Sequence, residues 1–129
     1  MMEKPNKCIT IQEAREIQQE WWKTRLDVTT NGSKHEDTCE FHFTLDELQE
    51  YLDYVREKSE EANISNPGIN IWLGAYKAKE NRPNLSTIFL SATKKKNTTE
   101  DDGSGRDYEE NTEIEPLNEN GGLWPPFAY

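Results

Sequence analysis

Cys39 and His42 stand three residues apart in Thr38-Cys-Glu-Phe-His42, with His35-Glu-Asp37 just before them and Cys8 far upstream. Thiolate and imidazole are the ligands of tetrahedral zinc, and a thiol beside an imidazole makes a nucleophile. Both chemistries need the groups to converge. On an extended segment residues three apart project to opposite faces, and only Cys8 and His35 remain to complete a metal shell. The spacing therefore favours ordinary strand residues over a zinc centre or a nucleophilic pair. With two cysteines in the chain, reduced thiols are expected rather than a disulfide framework.

Residues 98–109 approach a calcium-loop register. Glu100, Asp102, Gly103 and Glu109 occupy its third, fifth, sixth and twelfth places, but Thr98 and Arg106 hold the first and ninth and no helices flank the loop. A solvated acidic loop fits better. No glycine-rich phosphate loop, G-x-S-x-G or H-E-x-x-H pattern occurs. No catalytic residue, metal or cofactor is expected, and the reading leans away from an enzyme.

The elements that would position any site are legible in part. Thr10-Ile-Gln-Glu13 and Thr44-Leu-Asp-Glu47 have the form of capping boxes. Behind them Ile11, Ala14, Ile17 and Trp21, then Leu45, Leu48, Leu52 and Val55, predict helices near 11–27 and 45–62. Thr29 to Asp37 reads as a loop. Cys39, Phe41 and Phe43 alternate with polar residues as in a half-buried strand. In the strand over 69–76, Ile69, Ile71, Leu73 and Ala75 line one face while Trp72 and Tyr76 stand on the other. The strand over 86–92 is also apolar on both sides, which suggests central or doubly covered strands. Asn81-Arg-Pro-Asn84 between them suggests an antiparallel hairpin.

The expected fold is α+β, in the order α-β-α-β-β: two helices on a small, mainly antiparallel sheet in a single domain spanning 1–129. The tail Leu123-Trp-Pro-Pro-Phe-Ala-Tyr129 is expected to dock on that sheet, covering Trp72 and Tyr76. A free Leu-Trp-Pro-Pro-Phe tail seated in a partner's groove is the competing reading.

Charge is unevenly placed. The net charge is -10, the apolar fraction 33 % and the mean hydropathy -1.03. Residues 1–76 carry 15 acidic and 8 basic side chains. Lys77, Lys79, Arg82, Lys94, Lys95 and Lys96 then form a candidate basic rim opposed by Glu80 alone, and residues 100–119 hold nine acids against Arg106. With no apolar period from 97 to 113, that stretch is expected to be a disordered acidic loop. It could fold back and screen the basic rim. The net charge argues against nucleic acid as partner. No apolar run reaches the roughly 20 residues of a membrane span and no signal-like segment opens the chain, so a cytoplasmic location is expected. Four N-x-S/T sequons are then by-products of composition.

The strand Gly68-Ile-Asn-Ile-Trp-Leu-Gly-Ala-Tyr76, the later Thr87-Ile-Phe-Leu-Ser-Ala-Thr93 and the Pro125-Pro126 tail together resemble a group of small uncharacterised bacterial proteins. Members often place cysteines around the proline pair, where Trp124 and Phe127 stand here. The resemblance implies a bacterial origin and no particular chemistry.

The function expected from these features is a non-catalytic accessory or protein-interaction module, with Trp72, Tyr76, Trp124 and Phe127 as the candidate face. The alternatives are an acidic inhibitor or immunity-type protein for a basic partner, and an enzyme of unknown class.

Overall fold

A computed structural model of the chain describes residues 2–96, 103–119 and 122–129. Both capped helices form where their signatures stand. The hydroxyls of Thr10 and Thr44 accept from the backbone N–H of Glu13 and Glu47, each at 3.0 Å, and open α1 (Ile11–Arg25) and α2 (Leu45–Glu61). After α2, Asn63 and Asn66 adopt positive φ of 55° and 53°, which turns the chain back toward the sheet.

Among the described residues four strands follow α2: β3 (Gly68–Ala75), β4 (Ser86–Lys95), β5 (Tyr108–Glu110) and β6 (Leu117–Asn118). Here β1 (Asp27–Thr30) and β2 (Ser33–Glu36) form a separate antiparallel pair. All pairings are antiparallel, so the class is α+β as expected. β4 is the central strand, with β3 on one side and both β5 and β6 on the other. The β3–β4 hairpin runs in register from Gly68↔Thr93 to Ala75↔Ser86, and Lys79 and Arg82 exchange backbone bonds of 2.8 and 3.1 Å at its tip.

The element order is richer than the sequence suggested. The expected loop at 29–37 holds most of the β1–β2 hairpin, which starts earlier, at Asp27, and is turned by Asn31-Gly32 with φ of 51° and 82°. The expected strand at 39–43 is absent: the segment keeps alternating burial but joins no ladder among the described residues. Of the expected acidic loop, 97–102 lies outside the described residues, while Tyr108–Glu110 is strand β5.

The core is small and belongs to α2. Tyr51 and Val55 pack with Leu90, Ala92 and Ile114, flanked by Phe43, Leu48, Ile69, Ile88 and Leu117. The Tyr51 hydroxyl lies 3.0 Å from the Glu115 carbonyl and 3.3 Å from that of Leu90, so it fixes the helix over β4. α1 buries no residue. Its end is anchored by Leu26 and the neighbouring Asp37 and Thr38, all buried. No helix among the described residues is long and apolar enough to cross a membrane.

Candidate interaction surface

β3 lies at the edge of its sheet and is uncovered at Ile71 and Leu73, where a central or doubly covered strand was expected; β4 is the central one. Tyr76 N–H donates to Leu85 O at 3.1 Å, so Gly74, Trp72, Asn70 and Gly68 aim their backbone groups at β4. The far side of β4 agrees: Ala92 O accepts from Asn111 N at 2.9 Å and Lys96 N donates to Asp107 O at 3.0 Å. The N–H and C=O groups of Ile69, Ile71, Leu73 and Ala75 therefore point away from the sheet. No strand among the described residues pairs with them.

Edge strands are usually blunted by charge, proline or a bulge. From Gly68 to Ala75 there is none of these. The side chains of the same four residues share the α2 side of the sheet, where α2 covers only one end. Ile71 is 68 % exposed and Leu73 84 % exposed. Depressions flank them on that face. One of about 150 Å³ lies against Leu52, Val55 and Ile69; another of about 560 Å³ is lined by Ile9, Ile17, Trp21, Phe41 and Leu73 beneath α1.

The opposite face of β3 carries Trp72 and Tyr76, and their polar atoms are engaged. Trp72 Nε1 donates to Ser91 Oγ at 2.8 Å and to Glu110 Oε1 at 3.2 Å; Ser91 Oγ also donates to Glu110, and Asn70 Nδ2 reaches the second carboxylate oxygen at 2.7 Å. Tyr76 OH donates to Asn118 Oδ1 at 2.6 Å. Phe89 lies near-parallel to Trp72 at 6.3 Å, in the space beside Gly74. This network ties β3 across β4 to β5 and β6. Glu110 and Asn118, which hold it, sit in polar stretches without period and carry no signal that would single them out beforehand.

Trp124 and Phe127 are elsewhere, so the four residues of the candidate face do not meet. The tail docks on the segment 36–41 and on α1, not on the Trp72 face. Trp124 Nε1 donates to Glu36 O at 2.8 Å, Leu123 N to Glu40 O at 3.2 Å, Cys39 Sγ to Phe127 O at 3.4 Å and Tyr129 N to Gln18 Oε1 at 3.3 Å. Burial pushes the Cys39 thiol above its usual range, opposed by the Phe127 carbonyl contact and assisted by Glu40 and Asp37. A thiol so held stays protonated at neutral pH, the reverse of an activated nucleophile. His42 is exposed, and no group of three metal-capable side chains gathers among the described residues.

The same segment contains a buried carboxylate that sequence reading mentioned only as part of His35-Glu-Asp37. Asp37 is 7 % exposed. It accepts from Thr38 N and Ser86 N at 2.8 Å each and from Ser86 Oγ at 2.5 Å, joining the end of the β1–β2 unit to the start of β4.

The basic rim divides in two. Lys77, Lys79 and Arg82 stand at the hairpin tip, while Lys94, Lys95 and Lys96 stand at the far end of β4, roughly 30 Å away at about 3.4 Å per strand residue. Lys94 faces Glu109 of β5 at 3.9 Å. Acids also line the outward face of α2, where Asp46, Glu50, Asp53 and Glu57 recur at helical spacing.

In comparisons with protein-family models, with curated proteins and with solved structures, nothing matches this chain.

Proposed function

We propose that the protein is a binding module that engages another protein by strand addition at the free edge of β3. The observation that carries this is the row of outward backbone groups at Ile69, Ile71, Leu73 and Ala75, with Ile71 and Leu73 exposed beside it. Strand addition takes its affinity from ladder hydrogen bonds and its selectivity from pockets that receive alternate side chains. Ile69 and Leu73 line the two depressions, and four strand residues separate them by about 13 Å. An incoming strand would seat one side chain in each. The Trp72 face plays a supporting part here, holding β3 flat against β4.

One observation favours a second reading, an acidic inhibitor of a basic partner: the α2 acids lie on a folded helix rather than in a loop. Salt separates the two. Affinity capture from a native-host extract is run at 0.05 and 0.5 M NaCl (roughly 14 Å against 4 Å of screening length) with wild type, Leu73→Lys and Glu50→Lys/Asp53→Lys. Strand addition predicts a partner that survives high salt and disappears with Leu73→Lys. A partner lost in high salt and with the α2 reversals, but kept by Leu73→Lys, overturns the first reading in favour of the second.

A further inference from the structure

We infer that the strand received by β3 is β3 of a second copy, so that two chains join their sheets across a two-fold axis at Trp72. This rests on the strand-addition reading and goes on to name the partner.

Symmetry is the first argument. In an antiparallel pair, only residues whose backbone groups point outward on both strands can exchange hydrogen bonds. A two-fold through Trp72 meets that condition along the whole strand. It sets Ile71 opposite the second copy's Leu73 and Ile69 opposite its Ala75, each pair occurring twice. Four pairs exchanging two bonds each make about eight ladder bonds. The two four-stranded sheets become one, with no edge left at the seam.

Apolar continuity is the second. A two-fold perpendicular to the sheet keeps both α2 helices on one side, so the exposed Ile71 and Leu73 of the two copies lie in one trough. Ile17, 64 % exposed on α1, lines the same depression as Leu73 and extends that trough. Isolated exposed apolar residues are ordinary on a protein surface, but a row aligned with unpaired backbone is what a self-complementary interface requires.

Charge is the third. Two molecules of net charge -10 repel each other over most of their surface. From Ser65 to Tyr76 the chain carries no charged residue. Like charges facing each other across a two-fold would destabilise it, and this is the stretch of sheet where two copies meet without any. Screening the remaining repulsion should therefore tighten the pair, the opposite of what a charge-driven complex would show.

The test uses the full chain. Sedimentation equilibrium from 1 to 200 µM should give a dimer whose dissociation constant falls several-fold between 0.05 and 0.5 M NaCl (a change set by screening). Leu73→Lys and Ile71→Lys should each raise that constant about 100-fold, since either places an ammonium against apolar side chains in both halves of the seam. Both positions are largely exposed, so circular dichroism and urea unfolding of the monomer should stay at wild-type values. Register is read in a Cys8→Ser background: mixing Ile71→Cys with Leu73→Cys chains under oxidised glutathione should yield a mixed disulfide dimer, because directly opposed residues sit about 5.5 Å apart. A monomer throughout the range overturns the second-copy inference but leaves the strand-addition reading to be judged by the capture experiment. A dimer untouched by both lysine variants places self-association elsewhere and overturns it as well. Loss of the mixed disulfide with a lysine-sensitive dimer overturns the Trp72-centred register.

Discussion

Asp37→Ala should separate the first third of the chain from the sheet. The carboxylate accepts three hydrogen bonds, two of them from backbone amides of Thr38 and Ser86, and is 7 % exposed. A hydrogen bond to a charged group contributes about 1.5–3 kcal/mol net, and three on one carboxylate do not add. Water can reach part of the site through the adjacent depression, which Asp37 and Ser86 both line. A loss of about 3 kcal/mol follows, or roughly 10–15 °C in Tm for a chain of this length. Asp37→Asn separates geometry from charge. Its Oδ1 keeps both amide donors, and its amide nitrogen faces Ser86 Oγ, which can turn from donor to acceptor; the cost should be about 1 kcal/mol. Urea unfolding of wild type and both variants, followed by tryptophan emission and far-ultraviolet circular dichroism, gives the two numbers. An alanine variant within about 1 kcal/mol of wild type would contradict that role for Asp37, since the carboxylate would then hold nothing together. Equal losses for alanine and asparagine would refute it differently, by showing that charge rather than the hydrogen-bond pattern carries the effect.

Tyr51→Phe keeps the ring in the core and removes the hydroxyl's contacts with the Leu90 and Glu115 carbonyls, so it should cost about 1 kcal/mol in urea unfolding at pH 7. Burial, with lesser contributions from Tyr54 and Glu110, pushes the Tyr51 phenol above its usual value of 10.0. The folded chain thus holds that proton more tightly than the unfolded chain, so its stabilisation is complete below about pH 10 and lost as pH rises through the higher folded value. The difference in stability between wild type and Tyr51→Phe should shrink above pH 10; a difference constant with pH would contradict this. Gly122→Ala should unseat the tail, because the added Cβ would stand 2.6 Å from Phe41 Cε1, 2.8 Å from Glu40 O and closer still to Thr38 Cγ2. Faster hydrogen exchange at the Leu123 amide and a stability loss of about 1–3 kcal/mol are expected, and an unchanged Leu123 exchange rate would count against the docking described.

Both helices were legible because each carries two agreeing signals, a threonine cap and an apolar stripe. The β1–β2 hairpin was not, although Asn31-Gly32 is its turn. Asp27-Val-Thr-Thr and Ser-Lys-His-Glu contain one apolar residue between them, so no alternation announces the strands. The segment 39–43 erred the other way. Its alternation is real, but period-two burial needs only an extended backbone with a covered side, and the tail helps to cover this one through Leu123, Trp124 and Phe127. Asp37 and Glu110 were invisible as organising groups for a related reason. A carboxylate is made structural by the donors that reach it, and those come from Ser86, 49 residues away, and from Asn70, 40 residues away.

β3 shows most clearly what hydropathy leaves out. Its residues are apolar on both sides, a pattern that reads as a strand covered on both faces. Coverage, however, depends on how much helix is available. α2 is 17 residues, about 25 Å long and about 10 Å across, and strands lie about 4.8 Å apart, so one helix shields about two strands. Tyr51 commits it to β4 and to the 114–117 segment, through the carbonyls of Leu90 and Glu115. β3 is the strand left over, touched by the helix at Ile69 and uncovered at Ile71 and Leu73. α1 does not make up the deficit, since it buries no residue and leaves a depression where it passes Leu73. On the other face the aromatics are sealed at their polar atoms by Ser91, Glu110 and Asn118, so that face is already closed chemically. The unsatisfied side of β3 is therefore its edge and inner face together, and a second strand bringing its own apolar row satisfies both at once.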